Sequence, residues 1–136
     1  MVPCSDLPSG APFASSRKCI LVVEDELLIR MIVSDELREA GYEVIEAFDA
    51  DEALAVLNSL VRIDLIFSDV RMPGALDGLG LLAIVKATFP KMPVIMASGH
   101  VEPELAMASG ANKFLAKPYL LERLLVSVQE ELDKAE

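Results

Sequence analysis

The chain has 136 residues, 53% of them apolar and 25% charged, with a formal net charge of −10. That length suits one domain with a sizeable core. The acidic balance argues against nucleic acid or an anionic membrane surface as a partner. No apolar run approaches the roughly 20 residues of a membrane helix, and residues 1–10 lack the basic start and apolar stretch of a signal peptide. A cytoplasmic protein is expected. Cys4 and Cys19 have neither motif spacing nor a neighbouring His. They are expected as a tail thiol and a buried strand residue rather than a disulfide or a metal site.

Residues 1–17 are rich in Pro, Ser, Gly and Ala without periodicity, and a disordered leader is expected there. Strand and helix signals then alternate over residues 18–136. Cys19 to Val23 is an apolar run, the first strand. From Glu26 to Ala40, Ile29, Val33, Leu37 and Ala40 fall at helical spacing, and Gly41 follows as a stop. Tyr42 to Ala47 alternates as a second strand. Ala53, Val56, Leu57 and Leu60 mark the second helix, with Asp49 or Asp51 as candidate caps. Leu65 to Ser68 reads as the middle of the third strand.

Asp77 can cap a third helix whose Leu82, Val85 and Phe89 share a face before Pro90 ends it. Pro93 to Ala97 is a fourth strand. A short helical segment near Glu104 to Ser109 ends at Gly110, and Lys113 to Ala116 is a fifth strand. Leu121, Leu124, Leu125, Val128 and Leu132 then form a clean apolar stripe on the last helix. Continuous apolar strands alternating with amphipathic helices imply a (βα)5 doubly wound α/β fold, with one parallel five-stranded sheet covered on both faces. Right-handed crossovers place all strand C-termini on one edge. The chain ends with this last helix, and a single unit without an output domain is expected.

Several strand-like runs end in reactive polar groups. Glu24 and Asp25 follow the first strand, and Asp69 ends the third. In the flavodoxin-like order 2-1-3-4-5 those strands are neighbours at the switch point. Three carboxylates would therefore crowd one corner and repel, and a divalent cation would relieve that repulsion. Oxygen-only ligands favour Mg²⁺, Mn²⁺ or Ca²⁺ over zinc. Lys117, before Pro118, ends the fifth strand and can reach the same corner, and the Lys117–Pro118 bond is a candidate cis peptide. Ser98 ends the fourth strand beside Gly99, where a hydroxyl can hydrogen-bond a phosphoryl oxygen. Taken singly, each of these has an ordinary reading as a solvated turn, a surface lysine or a small turn residue.

Together, Glu24-Asp25, Asp69 with Met72-Pro73-Gly74, Ser98 and Lys117-Pro118 resemble the receiver domain of bacterial two-component response regulators. The resemblance runs from about residue 18 to 134, with all five positions in order. It implies that Asp69 accepts a phosphoryl group from the phosphohistidine of a sensor histidine kinase or a histidine phosphotransfer protein. It implies further that Glu24, Asp25, Asp69 and the backbone carbonyl of Arg71 hold Mg²⁺ (or Mn²⁺), and that Ser98 and Lys117 contact the phosphoryl oxygens. Phe114 matches a position often filled by an aromatic that turns inward on activation, coupled to Ser98; a plain core aromatic is the equal alternative. His100, the sole histidine, lies two residues past Ser98. With Arg71 it is a candidate for tuning the lifetime of the phosphoryl group, against the reading of an ordinary exposed loop residue.

Two departures from the family pattern bear on structure. The loop from Met72 to Gly78 carries one residue more than is common. The interval from Ser98 to Lys117 is about three residues short, so the fourth helix is expected to be short or irregular. The sequence therefore reads as a stand-alone receiver, a switch or phosphorelay shuttle that catalyses only its own phosphorylation and dephosphorylation. It is expected as a monomer or weak homodimer. The alternative is a receiver-like docking scaffold that works unphosphorylated. A flavodoxin-like nucleotide binder needs a small, uncharged first loop, where Glu24-Asp25-Glu26 would repel phosphate. A haloacid-dehalogenase-type phosphatase needs a second Asp where Arg71 stands.

Overall fold

The computed structural model describes residues 17–99 and 103–135. Five parallel strands, β1 (Cys19–Val23), β2 (Glu43–Ala47), β3 (Leu65–Asp69), β4 (Val94–Ser98) and β5 (Lys113–Ala116), pair in the order β2-β1-β3-β4-β5. The helices between and after them are α1 (Leu27–Glu39), α2 (Ala50–Leu57), α3 (Gly78–Thr88), α4 (Pro103–Ala108) and α5 (Leu121–Ala135). This is the expected doubly wound α/β sheet. Among the described residues its fourth helix spans 6, in keeping with the shortened interval after Ser98.

Every residue of β1, β3 and β4 is buried, and alternation divides their side chains between two cores. Leu21, Val23, Ile66, Val94 and Met96 pack with Ala53 and Leu57 of α2, Leu81, Leu82 and Val85 of α3 and Ala106 of α4. On the other face Ile20, Val22, Leu65, Phe67, Ile95 and Leu115 meet Val33 and Leu37 of α1 and Leu124, Val128 and Leu132 of α5. A hydrophobic layer on each face leaves only the strand ends open to build a site. Cys19 lies in the buried run of β1 as a free thiol. Burial first, then the charges of Glu43 and Asp64, push that thiol up to about 11.

Local capping follows the sequence with one choice resolved. Asp49, not Asp51, caps α2: its side chain accepts from Glu52 N–H at 2.8 Å, while Glu52 reaches back to Phe48 N–H at 2.8 Å. Asp77 caps α3 by accepting from Gly80 N–H at 2.9 Å. One apolar assignment is corrected. Leu60 does not extend the buried face of α2, because the helix caps off at Asn58 and leaves Leu60 fully exposed. The expected leader lies outside the described residues apart from the exposed Arg17. No helix among the described residues is long and apolar enough to cross a membrane.

Candidate functional site

The strand register brings the acidic residues together. Val23 is level with Ser68 across β1 and β3, so the chain beyond β1 and the last residue of β3 emerge side by side. Glu24 and Asp69 are buried and Asp25 is exposed, yet one carboxylate oxygen from each lies within 4.8 Å of the others. Such a set of hard oxygen donors fits Mg²⁺, Mn²⁺ or Ca²⁺ and disfavours soft-ligand metals.

Lys117 completes the corner from β5, one strand beyond β4. Its Nζ lies 3.2 Å from Asp69 Oδ2 and 3.6 Å from Glu24 Oε1. The Lys117–Pro118 peptide is cis, and Lys117 N–H donates to the Ser98 carbonyl at 3.1 Å, which ties the ends of β4 and β5 together. Burial opposes the charge on Lys117, but Asp69 and Glu24 together outweigh it and raise its pKa above the usual lysine value. Glu24 is raised as well, which for an acid disfavours the charged form. Burial, joined by the charge of Asp69, pushes it up to about 7, against the lowering effects of the Glu26 N–H bond and Lys117. The pocket thus carries more negative charge than one lysine neutralises.

Ser98, buried at the end of β4, stands beside the Asp69 strand, whose Asp69 is level with Ala97. Phe114 is level with Met96, two residues before Ser98, so alternation sets Phe114 on the Ser98 face of the sheet. There it packs, half-buried, against the core that includes Leu21 and Met96. Arg71 is exposed beyond β3 and lines a cleft of about 310 Å³ with Val70, Met72, Asp77 and Leu79. His100 lies outside the described residues.

Three neighbours of the site have no motif signal in the sequence. Tyr119 sets its ring edge-on to Phe67, with centroids 6.0 Å apart at 88°. Burial, with Glu24 and Asp69 nearby, pushes its hydroxyl up to about 12. Gly78 packs directly on the Asp69 and Val70 backbone. Arg30 donates to the Glu24 carbonyl at 2.8 Å. The position of Tyr119 immediately after Lys117-Pro118 is the one local hint available for any of them.

A doubly wound sheet with three carboxylates and a lysine gathered at the switch point defines an α/β domain built around an acidic, cation-ready corner. The chain belongs to the response regulator receiver domain family, which it matches over residues 20–129. It is 42% identical over 118 residues to the nitrogen assimilation regulatory protein NtrX of Azorhizobium caulinodans, covering 84% of this chain and 26% of that protein. It is 37% identical to the sensor kinase CckA of Brucella abortus, covering 88% of this chain and 13% of that one. Among solved structures, the receiver domain of NtrX from Brucella abortus matches with a TM-score of 0.78 at 41% identity, covering 84% of this chain and 98% of that one. The chemotaxis response regulator CheY4 of Vibrio cholerae matches at 0.76 and 36% identity, covering 85% and 99%. The chain spans about a quarter of the length of the NtrX relative.

Proposed function

We propose that Asp69 is the phosphoryl acceptor of a phosphorylation switch, with Glu24, Asp25, Asp69 and the Arg71 carbonyl as the cation ligands. The observation that carries this reading is the convergence of Glu24, Asp25 and Asp69 within 4.8 Å, with Lys117 Nζ 3.2 Å from Asp69. A carboxylate oxygen of Asp69 attacks the phosphorus of a phosphohistidine on a sensor kinase or phosphotransfer protein. The new O–P bond forms as the N–P bond breaks, and the electron pair leaves with the donor's imidazole, which takes up a proton. Mg²⁺ (or Mn²⁺), when bound, supplies positive charge that offsets both the carboxylates and the incoming phosphoryl oxygens.

The protein's own part is placement and electrostatics. Lys117 holds Asp69 in the unphosphorylated state and faces the new negative charge afterwards. Ser98 donates its hydroxyl to a phosphoryl oxygen, and Phe114, on the same sheet face, registers that shift in the core. His100 and Arg71 tune the access of water, which attacks phosphorus, breaks the O–P bond and restores the Asp69 carboxylate. The chemistry is confined to the protein's own modification, so this is a switch rather than a turnover enzyme. It serves equally in a cytoplasmic stand-alone shuttle, a monomer or weak dimer, and in a receiver joined to further domains.

The test is treatment with a small phosphodonor and Mg²⁺. The expected result is a mass gain of one phosphoryl group that disappears in Asp69→Asn. An unchanged mass in the wild type would favour a docking scaffold instead.

A further inference from the structure

The turn that carries Glu24 and Asp25 is held without the usual device. A helix commonly fixes its incoming chain through a side-chain cap. In α1 the N-cap residue Glu26 makes no side-chain capping bond, and the first turn holds no acidic residue. Two other contacts substitute. Glu24 Oε2 accepts from Glu26 N–H at 3.1 Å, and Arg30 Nη1, one turn into the helix, donates to the Glu24 carbonyl at 2.8 Å.

Arg30 is itself fixed. Its Nε donates to Glu46 Oε1 on β2 at 3.1 Å, and its side chain is only 16% exposed. The other oxygen of Glu46 accepts from Arg38 at 3.2 Å. Ala47, next to Glu46, accepts from Glu24 N–H at 3.0 Å. Both backbone polar groups of Glu24 are therefore tied to the end of β2, one directly through Ala47 and one through Arg30 and Glu46.

We infer that Arg30, locked by Glu46, is a positioning residue for the cation site. It holds the Glu24–Asp25 backbone in place against the mutual repulsion of three converging carboxylates, so that their oxygens are pre-arranged before a cation arrives. Arginine suits this because its planar fork reaches a carbonyl and a carboxylate at once, which a lysine ammonium does not reproduce. The inference rests on the reading of the cluster as a divalent-cation site.

Calorimetric titration with Mg²⁺, paired with amide exchange in the metal-free protein, tests it. Arg30→Met keeps the aliphatic stem and removes the fork. The expected loss of Mg²⁺ affinity is about 10-fold, the usual scale for a group that orients a ligand. Exchange should quicken at residues 24–26 while β4 and β5 stay protected. Arg30→Lys should recover only part of the affinity. Glu46→Gln should weaken binding by a smaller factor and add nothing in the Arg30→Met background. Unchanged affinity in Arg30→Met overturns the inference, as does a loss accompanied by faster exchange in every strand. Absence of Mg²⁺ saturation in the wild type itself overturns the cation reading beneath it. That outcome is distinct from a saturating wild type that Arg30→Met simply matches.

Discussion

A Cβ placed on Gly78 would stand 2.2 Å from the backbone oxygen of Asp69. It would also stand 2.7 Å from Val70 Cα, and Gly78 N–H already donates to the Val70 carbonyl at 2.8 Å. The loop from Asp69 to α3 therefore closes back on the very peptide that presents the Asp69 carboxylate, the proposed acceptor, and only a residue without a side chain permits that approach. Gly78→Ala forces backbone apart at this point. The expected cost is about 1–3 kcal/mol, the range for an added methyl that cannot be accommodated. Phosphorylation of Asp69 should slow as well. Denaturant unfolding and phosphorylation kinetics check the two effects, and a variant with wild-type values in both would show that the contact yields freely.

The fold was largely legible because each level of the sequence pointed the same way. Uninterrupted apolar runs such as Leu21 to Val23 can only be buried on both faces. The stripe from Leu121 to Leu132 marks a helix with one face on the core. Asp69, Glu24-Asp25 and Lys117 were legible because strand ends, once ordered, fix who meets whom. What escaped depends on distance in space rather than spacing along the chain. Leu60 continues the periodicity of α2, but nothing in a periodic pattern marks the turn at Asn58 where the helix stops. Arg30 reads as a surface arginine until Glu46, 16 residues later, is found beside it. Gly78 reads as loop composition until the path of the chain past Val70 is known.

Ser34 offers a test of packing that leaves the site untouched. It is wholly buried on the inner face of α1 with Val33 and Leu37, and its hydroxyl is the one buried side-chain polar atom without a hydrogen-bond partner among the described residues. A desolvated, unpaired hydroxyl opposes folding, and serine is also a poorer helix former than alanine. Ser34→Ala is expected to stabilise the protein by about 1 kcal/mol. Phosphorylation should not change. Thermal or denaturant unfolding decides the matter, and a destabilised variant would mean that the hydroxyl has a partner such as ordered water.

The raised pKa of Glu24 makes stability depend on pH with a definite sign. Its carboxyl titrates near 4.5 in the unfolded chain and at about 7 in the folded protein, because burial and the charge of Asp69 disfavour ionisation. The folded state therefore holds its proton more tightly. Between pH 4.5 and 7 the unfolded chain releases that proton first, so this residue's contribution to stability falls as pH rises and is fully unfavourable above 7. Glu24→Gln removes the titration. The stability of this variant relative to wild type, both metal-free, is expected to grow across that window by on the order of 1–3 kcal/mol and then level off. Mg²⁺ acts on the ionised form, so it should raise the wild-type melting temperature more at pH 7.5 than at pH 5. A gap between the two proteins that stays constant from pH 4.5 to 7.5 would mean that Glu24 is already ionised in the folded state. Lys117, 3.6 Å from Glu24 Oε1, would then have to be its effective counter-charge.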